Sequence, residues 1–209
     1  MNKIESVNDF VVRFANVNGS GSASANNLFA KAVFRLGVPV SPKNIFPSNI
    51  QGLPTWYEVR VNEHGYLGRR GGVDMTVAVN GQTLLNDYME VLPGGYFLYD
   101  STKDLPEGFD RDDITPIGIP LTRLCNDAFQ NPKLRQLLKN IIYVGSLSFL
   151  LDMDFSILTE SIEKQFKKKP KLAEPNIKAL ELGYQYAKEH YQGACKLSVR
   201  KINKLKDEI

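Results

Sequence analysis

The spacing of hydrophobic positions changes several times along the chain, and each change marks an element. From Phe10 to Val17 (FVVRFANV) apolar residues run almost unbroken, as in a buried strand of a parallel sheet, and the run stops at Asn18-Gly19. After Gly19-Ser20-Gly21-Ser22-Ala23-Ser24 the spacing becomes helical, with Leu28, Phe29, Ala32, Val33 and Leu36 on one face. Gly37 to Val40 predicts a short second strand, and Trp56 to Val61 alternates as a third. Between them lies a polar loop, Asn44 to Thr55, studded with Ile45, Phe46, Ile50 and Leu53, a composition that packs against something. Trp56 at its end is either a core anchor or part of a ligand or partner surface.

A β-α-β rhythm follows. Val73 to Val79 predicts a strand, and Asn80-Gly81-Gln82-Thr83 caps a helix running through Tyr88 and Val91, which Pro93-Gly94-Gly95 ends. Tyr96 to Tyr99 and Ile114 to Ile119 predict two more strands, separated by a charged loop from Lys103 to Asp113. Helices are expected from Pro120 to Phe129, over the long apolar stretch from Asn131 to Leu151, from Asp154 to Phe166, and from Glu174 to Tyr191. Lys167 to Lys169 with Lys171 reads as a solvated helix end. The order predicts a three-layer α/β fold: a mostly parallel open sheet flanked by helices, Rossmann-like, with a C-terminal helical segment. Residues 1–191 form the domain. Residues 192–209 form a charged amphipathic tail or linker, in which Val199, Ile202, Leu205 and Ile209 share a helical face.

Composition removes several function classes. With 43% hydrophobic and 23% charged residues, the 209-residue chain is expected to fold as an ordinary domain. A net charge of +3, without basic residues interleaved with aromatic ones, argues against nucleic acid. No apolar run has signal-peptide or membrane-spanning length, so a cytoplasmic protein is expected. Cys125, Cys195, His64 and His190 make no metal-ligand spacing, so no zinc or iron–sulfur site of its own is expected. His64 beside Glu63 on a turn reads as solvated rather than catalytic.

The candidate chemistry sits in the glycine loop. Strand, glycine loop and helix occur in the order a phosphate-binding turn requires: glycines bring bare backbone near an anion, and the first helical N–H groups point at it. Gly19, Ser20, Gly21, Ser22 and Ser24 are the candidates, the serine hydroxyls as extra donors or caps. A tight turn that uses glycine for steric reasons alone is the competing reading. A nicotinamide site offers an acid at the end of the next strand, whereas here Lys43 stands there and suits an anionic ribose substituent. Arg69 and Arg70, framed by glycines, make either an anion clamp or a solvated turn.

Taken together, the glycine loop Gly19-Ser20-Gly21, the segment Phe46-Pro47-Ser48-Asn49-Ile50-Gln51-Gly52, Tyr57-Glu58-Val59-Arg60, Arg70-Gly71-Gly72-Val73-Asp74, and the closing helices with Asn140 and Gly145 resemble the gamma subunit or domain of 2-oxoacid:ferredoxin (acceptor) oxidoreductases. The resemblance covers Asp9 to Tyr191. In that family the loop usually reads Gly-x-Gly-Gly-Gln-Gly, with Ser22, Ala23 and Ser24 taken here in place of the last three. The resemblance implies a component that helps hold coenzyme A while a 2-oxoacid, pyruvate or 2-oxoglutarate, is oxidatively decarboxylated. It also implies thiamine diphosphate, magnesium and iron–sulfur clusters on partner chains or domains. Alpha and beta subunits are the implied partners, and ferredoxin an indirect one. Loop amides would take the pyrophosphate, with Lys43, Ser48, Arg60, Arg69 and Arg70 as further cofactor-binding candidates and no catalytic residue in this chain. A non-catalytic assembly domain with an empty glycine loop is the alternative, and a free-standing NAD enzyme is a third reading that Lys43 opposes.

Overall fold

The computed structural model describes residues 2–47, 50–68 and 70–202. A short strand, β1 (Ser6–Val7), leads into β2 (Asp9–Val17), a parallel member of a six-stranded sheet that also holds β3 (Val40–Ile45), β4 (Pro54–Asn62), β5 (Val73–Ala78), β6 (Val91–Asp100) and β7 (Thr115–Ile119). The spatial order is β3-β4-β2-β5-β6-β7. β2, β5, β6 and β7 run parallel, while β4 is antiparallel to both β2 and β3. The helices are α1 (Ser22–Arg35), α2 (Leu84–Met89), α3 (Leu121–Ala128), α4 (Pro132–Leu150), α5 (Phe155–Gln165) and α6 (Pro170–His190).

Strand alternation divides the residues of β2 between two unlike faces. Phe10, Val12 and Phe14 enter the main core under α1 and α4, where Phe14 meets Phe29 edge-on at 5.4 Å and Tyr143 at 5.7 Å. Arg13 points the other way, where only the short α2 and the loop after β6 cover the sheet, packing Tyr88 against Phe97 and Phe109. The three expected layers are therefore unequal in thickness. α4 and α6 lie in backbone contact: a Cβ added to Gly145 would sit 1.9 Å from the Leu180 carbonyl oxygen, and one on Gly183 1.8 Å from that of Ile142. α4 itself starts with Asn131 as N-cap, its side chain accepting from the Lys133 amide, and Pro132 in the first turn.

The structure departs from the sequence reading in four places. The second strand does not run from Gly37 to Val40 but begins at Val40 and continues to Ile45, including Pro42, which an edge strand tolerates. α2 stops at Met89 and β6 already begins at Val91, so Pro93-Gly94-Gly95 lies within a strand. The glycines there serve close backbone approach: a Cβ on Gly95 would lie 2.7 Å from the Asp74 carbonyl oxygen, and Gly94 has φ +81° against Asn2. α6 starts at Pro170 and carries Pro175 inside it. Finally, after a turn at 192–194 the chain up to Ile202 is extended rather than helical. Its strand β8 (Leu197–Ser198) pairs in parallel with β1, and Leu197 and Val199 are buried with period-two spacing. Backbone bonds from Val199 to Leu151 and from Ile202 to Leu36, both 2.8 Å, attach it to the domain. Leu205 and Ile209, placed on a helical face above, lie outside the described residues.

Candidate functional site

The C-terminal end of β2 turns through Asn18, Gly19, Ser20 and Gly21 before α1 begins at Ser22. Gly19 (φ +83°) and Gly21 (φ +77°) occupy the left-handed region, which residues with a side chain resist. Both also face protein: a Cβ on Gly19 would lie 2.8 Å from Gln51 Cγ, and one on Gly21 2.1 Å from Leu137 Cδ2. The turn is pinned on two sides. Asn18 exchanges backbone bonds with Leu53 (2.8 Å) and Gly52 (3.0 Å), and Asn140 of α4 donates to the Ser20 carbonyl at 3.0 Å.

Gly21 is the N-cap of α1 and offers no capping side chain, and the first turn holds no acidic residue. None of the expected serine caps forms there, so the opening amides of α1 keep their donors for another acceptor.

Next to these amides lies a cavity of about 450 Å³, walled by Asn16 and Asn26 on one side and by Asn44, Thr55, Trp56 and Tyr57 on the other. Its described lining is free of charged side chains. Behind it runs a buried relay. Tyr143, its phenol pushed far up by burial, donates to Asn26 Oδ1 at 2.6 Å, Asn26 donates to Asn16 Oδ1 at 2.9 Å, and Asn80 donates to the Asn16 carbonyl at 3.2 Å. Asn16 is 1% exposed, and its side chain lies against the Tyr143 phenol, where it partly offsets the effect of burial. Sequence reasoning missed Asn16, since asparagine in an apolar strand carries no motif; its position one step before the strand's last residue was the available signal. Trp56 is not the core anchor: it is half-buried, belongs to neither core cluster, donates from Nε1 to Asp87 Oδ1 at 2.7 Å, and walls the cavity.

The expected cations are not at this site. Arg60 stands opposite Val11 on antiparallel β4, six residues from the loop end of β2, a span of about 20 Å. There it pairs with Asp9 at 2.5 Å and donates to the Val61 carbonyl at 2.5 Å. Arg70 pairs with Asp74, a buried carboxyl that also accepts from the Val11 amide at 2.7 Å and that burial pushes up. Both arginines thus close the N-terminal end of the sheet, because an antiparallel strand carries its later residues away from the loop. Lys43 is exposed and stands opposite Glu58, on the sheet face away from α1, so it does not line the cavity. Ser48 and Arg69 lie outside the described residues. His64 and Glu63 sit 3.4 Å apart on the surface. Burial pushes up both thiols, that of Cys195 to about 12. Among the described residues no three His, Cys, Asp or Glu side chains cluster to hold a metal, and no helix is long and apolar enough to cross a membrane.

A strand, a glycine turn and an uncapped helix N-terminus at the carboxyl edge of a mostly parallel sheet define a Rossmann-like α/β domain. Residues 11–186 match the family model for pyruvate ferredoxin/flavodoxin oxidoreductase, and the chain belongs to that family. Over 210 aligned residues it is 23% identical to 2-oxoacid:ferredoxin oxidoreductase 2, subunit alpha, of Aeropyrum pernix, covering 83% of this chain and 33% of the relative. The chain spans about a third of the length of the curated relatives it matches. Among solved structures, 2-oxoglutarate:ferredoxin oxidoreductase from Magnetococcus marinus, with 2-oxoglutarate, coenzyme A and succinyl-CoA bound, superposes with a TM-score of 0.84 at 25% identity, over 97% of this chain and 35% of that one. Pyruvate oxidoreductase subunit PORC from Thermotoga maritima shares the fold, with a TM-score of 0.67 at 19% identity, over 85% of this chain and 96% of that one.

Proposed function

We propose that this chain is the component of a thiamine-diphosphate-dependent 2-oxoacid:ferredoxin oxidoreductase that helps bind coenzyme A, in the cytoplasm, during conversion of pyruvate or 2-oxoglutarate to an acyl-CoA. One observation carries the reading: an uncapped helix N-terminus opens beside a cavity of about 450 Å³ whose described lining bears no charged side chain. Diphosphate oxygens match such a donor set, and no carboxylate lines the cavity to repel them. The coenzyme A reported in the Magnetococcus marinus structure supports the reading. When bound, coenzyme A supplies the thiol that accepts the acyl group. This chain's part is to hold and orient the nucleotide end, which lowers the entropic cost of the encounter. Thiamine diphosphate, magnesium and iron–sulfur clusters belong to alpha and beta partner subunits or domains, and ferredoxin takes the electrons through them.

A second reading, an assembly domain with no ligand in the loop, draws on Gln51 and Leu137, which give both glycines a steric purpose. Exposed Phe46, Ile50, Leu53 and Leu137 also supply an apolar rim for subunit contact. Ala23→Asp separates the two. Ala23 is exposed, lines the cavity and lies in the first turn of α1, where an acid strengthens the helix by about 0.3–1 kcal/mol while repelling a diphosphate. In the complete enzyme the KM for coenzyme A should rise about tenfold, the effect of roughly 1.4 kcal/mol, with Tm unchanged or raised. An unchanged KM in an intact assembly supports the second reading.

A further inference from the structure

Resting on the coenzyme A reading above, we propose that Tyr57 is a ligand-binding residue, and that its hydroxyl, with Thr55 and Asn44, forms a neutral hydrogen-bonding floor that receives the adenosine end of the nucleotide. The observation that carries this is a buried phenol with nothing to bond to. Tyr57 is 8% exposed and lines the cavity of about 450 Å³, yet its hydroxyl has no hydrogen-bond partner among the described residues. The other tyrosines buried to this degree, Tyr88, Tyr96 and Tyr143, each bond through the hydroxyl. A buried hydroxyl left alone is costly, so the exception marks a place for an outside partner. Its oxygen is not among the sealed, partnerless polar atoms of the described residues, and it stays reachable from the cavity. Burial pushes the phenol up, so at neutral pH it keeps its proton and can donate.

The sheet sets two more free groups beside it. Alternation puts Thr55 and Tyr57 on the face toward α1, and the pairing of β3 with β4 places Asn44 directly opposite Tyr57. Phe14 braces the Tyr57 ring edge-on at 6.3 Å. Thr55 and Asn44 line the same cavity, and neither side chain makes a hydrogen bond among the described residues. With no charged side chain in the described lining, this floor suits an uncharged group rather than a further phosphate. A carboxamide matches the N6 amine and N7 of adenine as a bidentate pair, and the two hydroxyls match a ribose. Phe46, two residues beyond Asn44 and 52% exposed, offers a face on which a base can stack.

Isothermal titration calorimetry on the chain tests this with coenzyme A, adenosine 5′-diphosphate, inosine 5′-diphosphate, which lacks the N6 amine, and 4′-phosphopantetheine, which lacks the nucleoside. Adenosine 5′-diphosphate should bind within about tenfold of coenzyme A, and the last two ligands each about tenfold more weakly than adenosine 5′-diphosphate. Tyr57→Phe should weaken both adenosine ligands by about threefold to tenfold, the range for one hydrogen bond. Its Tm should be unchanged or raised, because the lost hydroxyl has no partner in the protein; a merely structural hydroxyl would give a lower Tm with binding intact. Asn44→Ala, at an exposed position, should erase the preference for adenosine over inosine. The proposal is overturned if Tyr57→Phe binds adenosine 5′-diphosphate like the wild type, if 4′-phosphopantetheine binds as well, or if no adenosine ligand binds at millimolar concentration. Tyr57-dependent binding of adenosine 5′-diphosphate, with a coenzyme A KM in the complete enzyme unaffected by Tyr57→Phe, removes the coenzyme A reading and keeps the nucleoside site. Tight coenzyme A binding indifferent to both Tyr57 and Asn44 does the reverse.

Discussion

Gly183→Ala should destabilise this protein although alanine is the better helix former. At an unhindered helical position the exchange gains about 1 kcal/mol of propensity. Here the new methyl would stand 1.8 Å from the Ile142 carbonyl oxygen and 2.9 Å from the Ser146 amide nitrogen. These are backbone atoms of α4, so no rotamer change relieves the overlap. Reaching an ordinary contact of about 3.4–4 Å requires α4 and α6 to separate locally by about 1.6–2.2 Å, which opens gaps among the neighbouring core side chains. The separation also stretches the Ser146 hydroxyl's bond to the Gly183 carbonyl, now 3.1 Å. An overlap this deep with immobile backbone costs about 3 kcal/mol, the upper end of the usual range for overpacking, and set against the propensity gain of about 1 kcal/mol a net loss of about 2 kcal/mol is expected. For a chain of this size that is a fall in Tm of about 4–8 °C. Gly145→Ala meets the Leu180 carbonyl across the same contact, and one separation relieves both clashes, so the double variant should lose less than the sum of the two. Gly81→Ala, with nothing within 4 Å of its Cβ, is the control and should leave Tm within about 1 °C. Urea and thermal melts followed by far-ultraviolet circular dichroism read the wild type and all four variants. A Gly183→Ala variant as stable as the wild type would refute the close approach of α4 and α6.

Two further predictions concern buried polar groups. Asp100 ties the end of β6 to the start of α3 by accepting from the Thr122 amide (3.2 Å) and the Thr102 and Thr122 hydroxyls (2.6 and 2.5 Å), with Lys139 at 3.8 Å. Burial alone would raise this carboxyl, but the bonds from Thr102 and Thr122 outweigh it and hold it below the usual range. Its stabilisation is therefore fully present above its unfolded value of about 3.9 and is lost as pH falls through the lower folded value. Asp100→Asn should cost about 1–3 kcal/mol at pH 7, with the gap to wild type closing below about pH 4; a gap constant from pH 7 to pH 3 contradicts this. Tyr143→Phe strands Asn26 Oδ1 in the core and should lower stability by about 1–3 kcal/mol, whereas an unchanged urea midpoint would mean that the Tyr143–Asn26 bond is not made.

The sequence by itself determined the elements with strong periodicity. The unbroken apolar run of β2, the helical stripe of α1 and the long apolar face of α4 each need burial on a known period, and each lies where that period places it. The turn between β2 and α1 was legible too, because two glycines between a strand and a helix leave the backbone few other courses. Local pattern failed where the deciding neighbour is distant in sequence. Gly94 and Gly95 read as a helix stop, yet their contacts are Asn2, Asp74 and Leu92, which make them part of a strand. The chain after α6 read as a helix, yet β1, almost two hundred residues earlier, draws it into a strand. The same limit governed the site. Lys43, Arg60 and Arg70 were assigned to the glycine loop on residue type, while strand direction and side-chain alternation, settled only by the assembled sheet, aim them elsewhere. Asn16 had no motif to recommend it. Only the packing of Asn26, Asn80 and Tyr143 around it shows that it is the hub of a buried polar relay behind the cavity.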